Sequence, residues 1–429
     1  MNIRNSILFV ILTLYFPINV IGVKLPEKLF NAIYDDNIKT VELYREGWKL
    51  SNPVLTLGND EHLVFTFDDL SETQTDYYYT FYHCNRNWEL SSIAQEEYFD
   101  SFTEFPLNDF EYSVNTTIPY TNYLLRIPNE DTSIELSGNY ILVVFDRNEP
   151  DNPLITQRFY VVEPRVNVNA RIRKSANQID GTQGQKVDFM VDYGNFRIDN
   201  PTSDIKVVVR KNNRHDNQID DLKPLYMNNG MLEYDYNSEN VFPAGNEYRF
   251  FEFRNVKHPG KGVLSIDYME PMYNVTLEGH EPRVQKPYSY REDINGNFYI
   301  EVMNSDYPEL EADYMLVHFT LEMPQPLLGG GIYIFGKLSK WECSEPFKMR
   351  YNMDKKRYEH SLLLKQGSYS FLYAYQDDYS GEIKTYNIEG SHSETENDYQ
   401  IFVYYGEISD RYDRLIGYNR FNSNRNRSY

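Results

Sequence analysis

A chain of 429 residues is too long for one ordinary domain and leads to an expectation of two to four. Its 42 Lys and Arg stand against 64 Asp and Glu, a net charge of −22 that argues against nucleic-acid binding and disfavours docking to anionic lipid. With 41% hydrophobic residues the chain can bury real cores, and its 39 Tyr and 25 Phe suit the half-buried faces of pleated sheets.

Residues 1–22 read as an export leader: Arg4 is the positive head, Ile7 to Phe16 the apolar run, and Val20-Ile21-Gly22 the cleavage region. About ten apolar residues are too few for a bilayer that needs ~20, so cleavage is expected near Val23, releasing a soluble exported protein. Loss of Arg4 with the leader takes the charge from −22 to −23. No Cys follows the apolar run, so lipid attachment there is excluded. The two cysteines, Cys84 and Cys343, are expected as buried thiols; whether they meet is left open.

Strand-length alternation then recurs along the chain. It predicts strands at 62–67, 77–82, 187–193, 205–210, 298–303, 314–321, 358–364 and 399–405. Gly58-Asn59-Asp60, Asn228-Asn229-Gly230 and Asn295-Gly296 supply turns between them. One short helix is expected at Ile93–Phe99, where Ser92 with Gln95 resembles a capping box.

Two internal repeats suggest where units begin. Glu163-Pro164-Arg165-Val166 returns as Glu281-Pro282-Arg283-Val284, 118 residues later. A Gly-led aromatic strand start appears at Gly138, Gly245 and Gly367, with spacings of 107 and 122. Units of that size suit immunoglobulin-like sandwiches of ~100 residues. The expected fold class is therefore all-β, a tandem of immunoglobulin-like, E-set-like β-sandwich domains at 24–163, 164–281 and 282–429. The tail from Asn419 carries Arg420, Arg425 and Arg427 without an acid, and is expected to fray.

Motifs for chemistry are weak. Gly331 to Leu338 has the Gly and Lys spacing of a phosphate loop, but Leu338 stands where a magnesium-binding hydroxyl belongs, and the intervening residues read as a strand. The eight His are dispersed, with no zinc-ligand spacing. His83 and Cys84 are neighbours that point to opposite faces of one strand. The doublets Asp68-Asp69, Asp220-Asp221 and Asp377-Asp378 are read as solvated turns rather than glycosidase carboxylates. Trp88 and Trp341 are expected to pack at strand ends and cap a core, with sugar stacking by Trp341 as the competing reading. No catalytic, cofactor-binding or metal-ligating residue is nominated, and no cofactor is expected.

Asp68-Asp69-Leu70, the run Tyr77 to Asn85 with Trp88, Tyr112 to Thr116, Pro119-Tyr120-Thr121, Ser137 to Tyr140 and Arg158 to Glu163 together resemble a Bacteroidota family, the type IX secretion system plug proteins. Asp398 to Tyr405 and Asp410 to Tyr418 continue the likeness. The resemblance implies a non-enzymatic periplasmic protein that binds the giant outer-membrane translocon barrel (SprA-like) and closes its periplasmic mouth. It implies neither nucleic acid nor direct membrane insertion, and a monomer when free. The family carries over no catalytic residue, and its interface residues cannot be placed from motifs. An exported glycan-binding β-sandwich module is the alternative, because Gly331 through Tyr375 is similar to modules that bind starch-like polymers.

Overall fold

Alternation at period two gives each strand one apolar face, and such faces are buried when two sheets pack together. The computed structural model describes residues 25–424, apart from 27, 72–73, 100–101, 177–181, 195, 221 and 408. The leader at 1–22, Asp221, Arg425 and Arg427 thus lie outside the described residues. The fold is nearly all β, 45% strand against 5% helix. Among the described residues, six sheets pack in pairs around three hydrophobic cores.

In the first sandwich, Leu63–Asp69 lies between Ile38–Arg45 and Thr121–Ile127. The facing sheet carries Tyr77–Cys84, Gly138–Asp146 and Pro153–Val162. Phe65, Phe67, Tyr79, Phe81, Tyr140 and Phe159 fill the space between. The third sandwich is centred on the eleven-residue strand Gly367–Asp377, which pairs with Arg249–Glu252, Phe298–Ile300 and Gly330–Phe335. Opposite it lie Val263–Met269, Met272–Leu277, Tyr314–Glu322 and Arg357–Lys365, with Phe251, Phe319, Leu321, Ile334 and Phe371 between the sheets.

The middle sandwich departs from the expected boundaries. One sheet contains Asn167–Lys174, Gly184–Asp192 and Met231–Tyr234; the other is Ile205–Lys211, Asp398–Tyr405 and Arg414–Asn422. Strands from the end of the chain therefore complete the middle core, while Arg249–Glu252 and Val263–Leu277 belong to the third. The cause is burial. Ile205–Lys211 is buried along almost its whole length, and a strand buried on both faces needs a fully buried neighbour. Asp398–Tyr405 is equally buried and supplies it. Asn419 to Asn422, expected to fray, are held in the last strand by pairing with Asp398 to Ile401.

Two smaller expectations also change. The helix at Ile93–Phe99 is only a 3₁₀ turn, Gln95–Glu97, and its cap lies two residues later, where the Ala94 N–H donates to Glu97 Oε1 at 3.0 Å. The strand expected over 298–303 stops at Ile300. The turn at Asn295-Gly296 forms as expected, with φ of 51° and 76°. Gly296 is also required by packing: a Cβ there would strike the Trp341 and Tyr248 rings. Gly58 has a similar φ of 79° with nothing within 4 Å. Gly58→Ala is expected to cost about 1–2 kcal/mol of stability, and Gly296→Ala about 1–3 kcal/mol beyond that from overpacking. Urea titration of both variants checks the ordering; equal losses would remove the packing role of Gly296.

Candidate functional site

The residues singled out for chemistry prove structural. Gly330–Phe335 is a strand paired with Leu372–Asp377, and Ile332 and Ile334 point into the third core, leaving no cradle of inward amides. Among the described residues no three His, Cys, Asp or Glu converge as metal ligands. His83 is buried, with Nε2 at 3.2 Å from the Ser137 carbonyl, and burial lowers its pKa to about 4. Cys84 is buried and Cys343 half-buried; both are free, with burial pushing each thiol up to about 12. Such thiols are inert at neutral pH. Trp88 and Trp341 are both buried, as expected of core-capping residues. Trp88 meets Tyr160 edge-on with the Arg158 guanidinium 4.2 Å from its ring, and Trp341 packs against Phe335 and Tyr248. Neither is more than 8% exposed.

The acidic doublets divide. Asp377 is a turn residue whose Oδ1 accepts the Tyr379 and Ser380 N–H groups. Asp220 accepts from Gln218 at 3.2 Å. Asp68 and Asp69, however, are buried at 0% and 2% exposure in the middle of a sheet, which corrects the solvated-turn reading. A buried carboxylate needs partners, and Asp68 finds them across the boundary between the first and third sandwiches. Lys365 Nζ lies 2.7 Å from Asp68 Oδ2, the Tyr314 hydroxyl donates to the same oxygen at 2.6 Å, and Asn122 donates to Oδ1 at 2.8 Å. Lys365 also donates to the Glu309 carbonyl at 2.7 Å and lies 4.0 Å from the centre of the Tyr120 ring. Burial pulls the Lys365 pKa down, opposed by the Asp68 charge.

Around this pair the first sandwich clamps the segment from Glu309 to Asp313. Lys49 reaches Glu309 Oε1 at 2.6 Å, Tyr120 donates to the Ala312 carbonyl at 2.8 Å, and the Thr117 hydroxyl donates to Asp313 Oδ2 at 2.6 Å. The first and middle sandwiches share a separate apolar cluster that includes Trp88, Tyr160, Val208 and Phe402. There Arg210 donates to the Tyr160 hydroxyl at 2.6 Å and Tyr404 to Asn139 Oδ1 at 2.8 Å. The middle and third sandwiches meet through amides: Asn212 donates to the Tyr248 hydroxyl at 3.2 Å, and Asn295 donates to Asp398 Oδ2 at 3.0 Å. Every pairwise junction is thus buried and hydrogen-bonded. The three sandwiches pack against one another at all three junctions.

The second copy of the Glu-Pro-Arg-Val repeat takes part in a further buried cluster. Glu389 accepts from Arg249 Nε at 3.0 Å, from Arg283 Nε at 2.7 Å and from the Tyr373 N–H at 2.8 Å. Burial pushes this carboxyl up, but the two guanidinium groups and the backbone donor overcome it and hold the pKa at about 2. In the first copy Arg165 is exposed beside Glu163, so the repeat marks equivalent strand exits with different partners.

Two outcomes follow from these clusters. Lys365→Met should cost about 3–5 kcal/mol by leaving Asp68 buried without its ion, and the double variant Asp68→Leu/Lys365→Met should recover part of that loss. A double-mutant cycle by urea unfolding measures the coupling; strictly additive losses would rule it out. The depressed Glu389 pKa makes its stabilisation complete above the ordinary value of 4.5 and lost as pH falls through about 2. Glu389→Gln should therefore flatten the acid limb of the urea midpoint against pH while lowering stability at neutral pH. An unchanged acid limb would assign it to other carboxylates.

A sequence profile described as the Type 9 secretion system plug protein 1st domain matches residues 38–163, which span most of the first sandwich. No curated protein matches the chain. Among solved structures, the crystal structure at 2.30 Å resolution of a hypothetical protein from Parabacteroides merdae ATCC 43184 is similar at 38% identity and a TM-score of 0.88. The alignment covers 92% of this chain and 99% of that one. With the profile resting on the Tyr-rich first sandwich and the likeness running through all three, the chain belongs to the type IX secretion system plug family.

Proposed function

We propose that the protein is a periplasmic plug that binds the periplasmic mouth of the type IX outer-membrane translocon barrel and closes it while no cargo passes, catalysing no reaction. Membership of the plug family carries this reading. The mechanics suit it: obstruction demands a body that does not deform under a translocating chain, and the buried junctions provide one.

Closure must also be reversible. A stable cap buries at least ~1,200 Å² in total, and polar contacts let it dissociate when cargo arrives. Exposed Tyr226 and Tyr268, each on an edge strand, offer amphipathic contact with little rotamer entropy to lose, and their neighbours Met227 and Met269 add adaptable apolar surface. The net charge of −22, or −23 without the leader, calls for a basic rim on the barrel. Affinity for the purified barrel should therefore fall at least ~tenfold as salt rises from about 0.05 to 0.5 M, where the Debye length shrinks severalfold. Constant affinity across that range would eliminate the electrostatic account, and no binding at any salt concentration would eliminate the plug itself.

A further inference from the structure

The margins of the first and third cores face each other without closing, and a cavity of about 490 Å³ lies between them. Its walls are apolar on both sides, with Ile33 and Val41 from the first sandwich and Leu338, Phe347 and Leu362 from the third. Four lysines interrupt this apolar lining, beside the acids Asp35, Asp36 and Glu342. Two of them, Lys337 and Lys340, come from the turn after Gly330–Phe335, the strand that opens the stretch with phosphate-loop spacing. Lys337 and Phe298 line the cavity together, with the ammonium 5.4 Å from the centre of the ring. Lys340 lines it too, and its buried Nζ has no hydrogen-bond partner among the described residues.

Burial lowers both lysines, Lys340 to about 7, so each ammonium is held at a cost. Neighbouring carboxylates relieve it only in part. Glu42, the carboxyl acting on Lys337, is itself pushed up by burial and keeps an unpartnered Oε1, and Glu342, which acts on Lys340, is exposed. Lys365, also in the lining, is committed to Asp68, and Lys39 to the Asp36 carbonyl. A neutral hydrocarbon in the cavity would leave Lys337 and Lys340 uncompensated, and a small polar anion would leave the apolar walls wet. The volume falls within the roughly 300–1,000 Å³ of ligand pockets.

We propose that this cavity binds a single-chain carboxylate amphiphile, its acyl chain against the apolar walls and its carboxylate answered by Lys337 and Lys340. The proposal does not rest on the plug reading. It is tested with the full mature protein and a fluorescent dansylamino-undecanoic acid. Saturable one-to-one binding is expected, displaced by oleate, displaced at least ~tenfold more weakly by oleyl alcohol because a charge-assisted contact is lost, and untouched by acetate. Lys337→Met/Lys340→Met, confirmed as folded by circular dichroism, should weaken the probe by a similar factor; the comparison of acid with alcohol tests the same contact without any substitution. Absence of saturable binding, equal competition by acid and alcohol, displacement by acetate, or an unaltered affinity in the folded double variant would each overturn the site.

Discussion

The contact between Asp68 and Lys365 sets the terms for the rest of the molecule. Two opposite charges, each with a side chain 1% exposed, meet where the first sandwich touches the third. Neither could be left there alone, because an unpaired ion in that surrounding would cost several kcal/mol. The two sandwiches therefore cannot separate slightly and remain stable. They are docked in one register or exposed to the full desolvation loss. Tyr314, Tyr120 and Asn122 fix that register further by satisfying the remaining lone pairs and carbonyls. Buried ion pairs are poor sources of net stability but good sources of geometric uniqueness, and a body that works by its shape needs the second property.

The same logic appears in different chemistry at the other junctions. Between the first and middle sandwiches the seal is aromatic, with Tyr160 and Phe402 rings 4.6 Å apart and the Arg210 guanidinium over both. Between the middle and third it is polar, with Asn212 donating to the Tyr248 hydroxyl at 3.2 Å and Asn295 to Asp398 Oδ2 at 3.0 Å. The abundance of Tyr acquires a reason here. Tyr140, Tyr160, Tyr314 and Tyr404 each fill apolar volume while the hydroxyl serves as a donor or acceptor at or near a junction.

Much of the strand content was legible because alternation is local: Leu63, Phe65 and Phe67 share a face in sequence and in space. The trio of Gly-led strand starts was likewise sound at Gly138 and Gly367, each of which opens a strand. What stayed hidden was long-range. Asp68 reads as a surface acid because its partners lie 246 and 297 residues downstream, and nothing near it in sequence announces a counter-charge. The unit boundaries failed for the same reason: the repeat at Glu281 marks a strand exit correctly, but which core a later strand joins is decided by the vacancy beside Ile205–Lys211. Lys337 was visible only as part of a failed phosphate motif and Lys340 not at all, since an unpartnered ammonium is a property of three-dimensional surroundings.

The return of the last strands to the middle of the molecule bears on how the protein comes into being. A chain that emerges from its N-terminal end can complete the first sandwich early, since all of its strands precede residue 163. The central one must wait: Ile205–Lys211 stays without its neighbour until some two hundred later residues have been delivered, and its apolar edge is open throughout. The strands of the first and third sandwiches are thus all delivered before the middle one can be completed. A nascent chain interrupted before residue 398 would hold two finished ends around an unfinished centre, a natural target for chaperones and proteases that recognise bare strand edges.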